Sequence, residues 1–182
     1  MKQFIVIACL AVSLASCNNS ATTPSGSDST GSAAKPGAEP NLPFKLVEPY
    51  KNWQTGSNEN VVSAMGGLKA FVDNDFTKLA TALGDSVYLR FDYYHEKLSR
   101  DSAMKVFTAQ RAMYKDLVIT MYDYESVIAA DKSEEYVTMW YKQAWKNDKG
   151  VADSLSVVDD CKMKNGKMIE LDEKVQHYPA KK

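Results

Sequence analysis

Two alternating runs meet at Lys164-Asn165-Gly166-Lys167, and this junction restricts the fold more than any other stretch of the chain. Asn and Gly both tolerate positive φ. The pair therefore predicts a two-residue type I′ turn and a long hairpin over Val151–Tyr178. On the incoming strand Leu155, Val157, Cys161 and Met163 share one face, and Ser154, Ser156, Asp160 and Lys162 share the other. Asp159 interrupts the apolar face. A carboxyl group placed there must be paired, hydrogen-bonded or protonated, because a bare charge is too costly to bury. Asp159 is the first candidate site residue.

The start of the chain reads as an address. Lys2 precedes an apolar run, Phe4–Val12, that is too short to span a bilayer. Leu14-Ala15-Ser16-Cys17 then resembles a bacterial lipobox. That resemblance implies a signal peptide over residues 1–16, cleavage before Cys17, acylation of Cys17, and a lipid-anchored protein of the cell envelope. The chain has 3 cysteines. With Cys9 removed and Cys17 lipidated, only Cys161 remains, so no intrachain disulfide is expected. Residues 17–43 are rich in Ser, Thr, Gly, Ala and Pro and read as a tether, with coil ends about 30 Å apart. Residues 44–182 have the length of one domain. The charges nearly cancel, with 22 Lys and Arg against 23 Asp and Glu. No basic stripe marks a nucleic-acid footprint.

Within the domain, Val61, Met65, Leu68 and Val72 recur at helical spacing and predict a first helix, about Asn58–Val72, with Ser57 or Asn58 as its cap. Gly66-Gly67 would let it lie close against a sheet. Phe76, Leu79, Ala80 and Leu83 predict a second helix. Val87–Phe91 reads as a strand and Asp92–Lys97 as a polar loop. Ala103, Val106, Ala109 and Met113 form the stripe of a third helix, about Arg100–Tyr114. Strands over Leu117–Ala130, Glu135–Asn147, Val151–Lys164 and Lys167–Tyr178 follow. Helices followed by an antiparallel meander make an α+β domain.

The order of these pieces resembles the nuclear transport factor 2-like superfamily, with its polyketide-cyclase-like and ketosteroid-isomerase-like members. The stretches that carry it are Phe71-Val72-Asp73-Asn74-Asp75-Phe76, Leu83-Gly84-Asp85-Ser86-Val87 and Met163-Lys164-Asn165-Gly166-Lys167-Met168. Asn52-Trp53-Gln54-Thr55-Gly56 and Ser86–Asp92 are similar to secreted members in Bacteroidetes-type bacteria. The resemblance implies a cone-shaped curved antiparallel sheet packed on three N-terminal helices, open at one end over a pocket. It places Asp159 where isomerases carry a protonated Asp, Arg90 where they carry the carboxylate base, and Leu68 where they carry a tyrosine. A guanidinium cannot accept a carbon-bound proton at neutral pH.

Members of the superfamily often carry a bulge just after the Gly-Lys turn, which would set Glu173 opposite Asp159. Uninterrupted pairing would set Asp172 there instead. Two close carboxylates cannot both ionise cheaply, so one holds a proton or both share a cation. Arg90 is the natural partner. Tyr88, Arg90, Asp159, Glu173, Tyr141 and Trp145 are the expected pocket residues. Tyr136 and Trp140 fall on the opposite, convex face and form a candidate interface, through which members commonly dimerise. Tyr122 and Tyr124 extend one surface or the other.

His95 and His177 lack ligand spacing, so no metal is expected. No Gly-rich phosphate loop implies a cofactor. The expected function is a non-catalytic domain that binds a small molecule or another envelope protein. The alternative is an isomerase or dehydratase-type enzyme that uses Asp159 with Glu173 or Asp172.

Overall fold

The computed structural model describes residues 42–92 and 94–178. The signal-like segment, Cys17 and the tether through residue 41 lie outside the described residues. Among the described residues, no helix is long and apolar enough to cross a membrane.

A two-residue strand, β1 (Gln54–Thr55), leads into α1 (Asn58–Val72) and α2 (Phe76–Ala82). Next come β2 (Leu83–Phe91), β3 (Tyr94–Ser99), α3 (Arg100–Ala112), β4 (Lys115–Ile128), β5 (Glu135–Lys146), β6 (Ala152–Lys164) and β7 (Lys167–His177). Each helix begins at a side-chain cap. Ser57 accepts from the Glu59 and Asn60 amides, Asp75 from Lys78, and Ser99 from Ser102.

All seven strands form one curved, unclosed sheet in the order β1-β4-β5-β6-β7-β2-β3, and the helices pack on its inner face. Asn165 and Gly166 have φ of 52° and 73°, which closes the expected turn. Burial alternates along β6 as predicted, with Leu155, Val157, Asp159, Cys161 and Met163 inward. Val137, Met139 and Tyr141 of β5 and Val87 and Leu89 of β2 meet them in the core.

Four expectations change. The sheet is not wholly antiparallel, because β2 runs parallel to β7. The helical excursion carries β2 to the far side of the meander, where it joins the last strand. Most of the expected loop Asp92–Lys97 belongs instead to edge strand β3; its exposed His95, Glu96 and Lys97 protect the edge and hide the strand signal. The inner face of α3 is Ala103 and Phe107, while Ala109 and Met113 are exposed. The larger ring of Phe107 claims the core and rotates the stripe. Gly67 makes its close approach to α2, not to the sheet: a Cβ there would lie 3.2 Å from that of Ala82.

Candidate functional site

A cavity lies between the inner face of the sheet and the helices. Asp159 is 4% exposed and sits in its lining beside Met139 and Tyr141. The Tyr141 hydroxyl donates to Asp159 Oδ2 at 2.8 Å. Oδ1 of Asp159 is buried and has no hydrogen-bond partner among the described residues. Glu173 lines the same cavity and pairs with Asp159 across the ladder. This follows from a register shift between Lys162 and Met163, which leaves Ile169 unpaired. The bulge is therefore present, and Glu173, not Asp172, is the second carboxylate.

Aromatic and aliphatic side chains make the rest of the wall. Phe107 is the hub, with its ring centroid 6.3 Å from that of Phe71 and 6.5 Å from that of Phe91. Leu68, Leu79, Leu83, Met168 and Leu171 complete the apolar lining. Tyr114, Gln110 and Gln143 add a second polar group. Leu68, Phe91, Gln110, Tyr114 and Glu173 are the half-buried members, so the cavity meets solvent along them. The centres of water-sized molecules have about 50 Å³ available. That is room for a few waters or one small organic molecule.

The two acids are shifted by their surroundings. Burial, then the charge of Glu173, pushes the Asp159 carboxyl well above the usual carboxylate range, although the Tyr141 hydrogen bond opposes the shift. Its protonated form is thereby favoured. Burial, then the charge of Asp92, raises Glu173 to about 7, so it is close to half ionised there. Burial also raises the Tyr141 phenol, with Asp159 and Glu173 adding to it. Tyr114 rises for the same first reason, with Glu173 second, and the amides of Gln143 and Gln110 pull the other way. The Cys161 thiol, buried next to this group, is pushed up and stays protonated. It behaves as a small core residue.

Three expected pocket residues lie elsewhere. Arg90 and Tyr88 point away from the cavity, because Val87 and Leu89 are the inward residues of β2 and strand parity puts their neighbours outside. Arg90 donates to Glu170 at 3.0 Å, lies 3.9 Å from Asp172 and stacks 5.7 Å from the Tyr88 ring. It does not reach the Asp159–Glu173 pair. Asp172 is on that outer face too, bridged to Lys174 at 3.1 Å. Trp145 is on the inner side of β5 but packs edge-on against Tyr114 at 5.0 Å, behind the lining.

Tyr136 lies on the outer face as expected, and Trp53 covers it edge-on at 5.8 Å. Trp140 shares that parity and is half-buried. Tyr122 and Tyr124 are exposed. Sequence reasoning missed Gln110, Tyr114 and Gln143. Gln143 was findable, since it lies two residues beyond Tyr141 on one strand. Among the described residues, no group of three or more His, Cys, Asp or Glu is placed to hold a metal ion.

No protein-family model matches the chain, and no curated protein matches it. Solved structures do. An NTF2-like protein of unknown function from Burkholderia pseudomallei superposes with a TM-score of 0.55 at 12% identity, covering 66% of this chain and 92% of that one. The chain has the nuclear transport factor 2-like fold. An LEH-like epoxide hydrolase of Mycobacterium tuberculosis superposes at 0.53 with 12% identity over 66% of this chain and 84% of its own. A protein from Catenulispora acidiphila with a ketosteroid isomerase-like fold follows at 0.51 and 10% identity, over 62% and 83%. At these identities the likeness establishes fold and leaves chemistry to the side chains.

Proposed function

We propose that this is a lipid-anchored envelope protein whose cone binds a small molecule without transforming it. One observation carries the binding reading: Asp159 Oδ1 is buried at the cavity wall with no partner among the described residues. An unsatisfied buried polar atom costs on the order of 1–3 kcal/mol, which a bound ligand can recover. The inward positions of β2 support a non-catalytic role. Leu89 and Phe91 stand there, and Leu68 lines the cavity where the resemblance places a tyrosine. The lipobox-like Leu14–Cys17 supports the anchor.

Thermal-shift screening of the full chain carrying Cys17→Ser against metabolite fractions tests the pocket. Stabilisation that disappears in Asp159→Leu is expected; no stabilisation by any fraction removes the reading. Radiolabelled palmitate tests the anchor, with label expected on the wild type and none on Cys17→Ser.

A second reading is an isomerase or dehydratase-type enzyme. It is favoured by Glu173, a base titrating at about 7, facing an acid whose protonated form burial favours. It requires that Glu173→Gln still bind substrate but lose turnover.

A further inference from the structure

We propose that the ligand of this cavity is a small organic cation, an alkylammonium group held between Asp159 and Glu173 under aromatic walls. This rests on the pocket-binding reading above and names its ligand class. Two carboxyl groups line the cavity, and among the described residues its lining contains no Lys, Arg or His. The basic residue that the sequence offered as their counter-ion, Arg90, is committed to Glu170 on the other face of the sheet. Among the described residues, the pair therefore lacks a positive partner on its own side. Asp159 Oδ1 is free to accept, and an ammonium N–H supplies the missing donor. Phe91, Phe107, Tyr114 and Tyr141 present rings around the same space, which suits the alkyl part and attracts the charge. The small free volume selects a few-carbon amine over a bulky one.

The same arrangement sets a pH dependence. Burial is what first keeps protons on the two acids, with the charge of Glu173 adding to it at Asp159 and that of Asp92 at Glu173, and a cation between them works against both. Binding then draws the proton off Glu173. The other groups that face the pair are Tyr141 and Tyr114, both held neutral, the neutral Cys161 thiol, and Asp92 beside Glu173. Asp160 and Lys174, bridged at 3.0 Å, act from the opposite side of the sheet and in opposite directions on Asp159. None of these supplies a competing cation inside the cavity.

The test compares isobutylammonium with its neutral isostere isobutanol, by calorimetry on the full chain carrying Cys17→Ser. Isobutylammonium is expected to bind at least tenfold more tightly. Its affinity should rise about tenfold per pH unit up to Glu173's value of about 7. Glu173→Gln should weaken it at least tenfold and flatten that slope, and Asp159→Asn should weaken it independently. Isobutanol binding as well or better, or ammonium affinity falling as pH rises, overturns the cation inference but leaves the pocket reading standing. Ammonium binding that survives both substitutions also overturns the inference, since the cation would then sit elsewhere. If neither probe binds a folded protein and no metabolite fraction stabilises it, both readings fail.

Discussion

Glu173 faces Asp159 across the β6–β7 ladder only because Ile169 drops out of the pairing. Without that bulge Asp172 would occupy the inner position, and Glu173 would sit outside among the ion pairs of Arg90 and Lys174. A one-residue slip moves a whole strand from face to face. The bulge thus joins a feature near the Asn-Gly turn to the acid pair deep in the cone.

The acid pair makes stability depend on pH in an unusual direction. The folded state holds its proton on Glu173 up to about 7, against an ordinary 4.5. Between those values the native state binds more protons than the unfolded one, so stability falls as pH rises. The loss for Glu173 alone is up to about 3 kcal/mol. Urea unfolding from pH 5 to pH 8 should show this decline. Glu173→Gln should flatten it and exceed the wild type in stability at pH 8. A wild-type profile that rises over this range would contradict the placement of Glu173.

If the buried acid is kept for binding, removing it should strengthen the fold. Asp159→Leu alone strands the Tyr141 hydroxyl, so the informative variant adds Tyr141→Phe. The double variant replaces a buried polar pair with apolar groups of similar size and should gain about 1–2 kcal/mol. It should also lose every ligand. Tyr141→Phe alone removes one hydrogen bond and should cost about 1 kcal/mol. A double variant less stable than the wild type would mean that Asp159 and Tyr141 serve the fold.

The outer face separates the two sides of the sheet. Arg90, Glu170, Asp172, Lys174 and Asp160 form a partly exposed network in solvent. Arg90→Gln should therefore cost no more than about 1 kcal/mol and leave ligand affinity unchanged. Chemical denaturation and calorimetry on one preparation check both. A large loss of affinity would return Arg90 to the cavity.

Much of this was legible because β6 alternates cleanly. Parity alone aimed Asp159 inward, and the Asn-Gly turn named the partner strand. The bulge was visible only through family resemblance, since nothing in Lys167–Glu173 announces an unpaired residue. Arg90 was misplaced by a resemblance that ran against parity, although Val87 and Leu89 already marked the inner face. β3 escaped because an edge strand with one exposed, charged face reads as loop. Tyr114 and Gln110 lie at the end of a helix whose stripe was rotated. Their approach to Gln143 depends on how α3 seats against α1 and β2, which no local pattern encodes.

Arg111 decides that seating. Its Nε and Nη2 donate to the Val72 carbonyl at 3.2 and 2.9 Å, and Nε also reaches the Phe71 carbonyl at 3.1 Å. Nη1 donates to the Tyr114 carbonyl at 2.6 Å. One guanidinium thus satisfies the last carbonyls of α1, complements the negative end of that helix, and fixes the residue that forms the cavity rim. Lysine has the charge but not the planar fork. Arg111→Lys should cost about 1–2 kcal/mol and Arg111→Ala about 2–3 kcal/mol. Both should lower the urea midpoint at an unchanged m-value. Because Tyr114 loses its anchor, both should also weaken ligand binding, although Arg111 never touches the cavity. Reduced stability with intact affinity would show that the rim holds its geometry without the clamp.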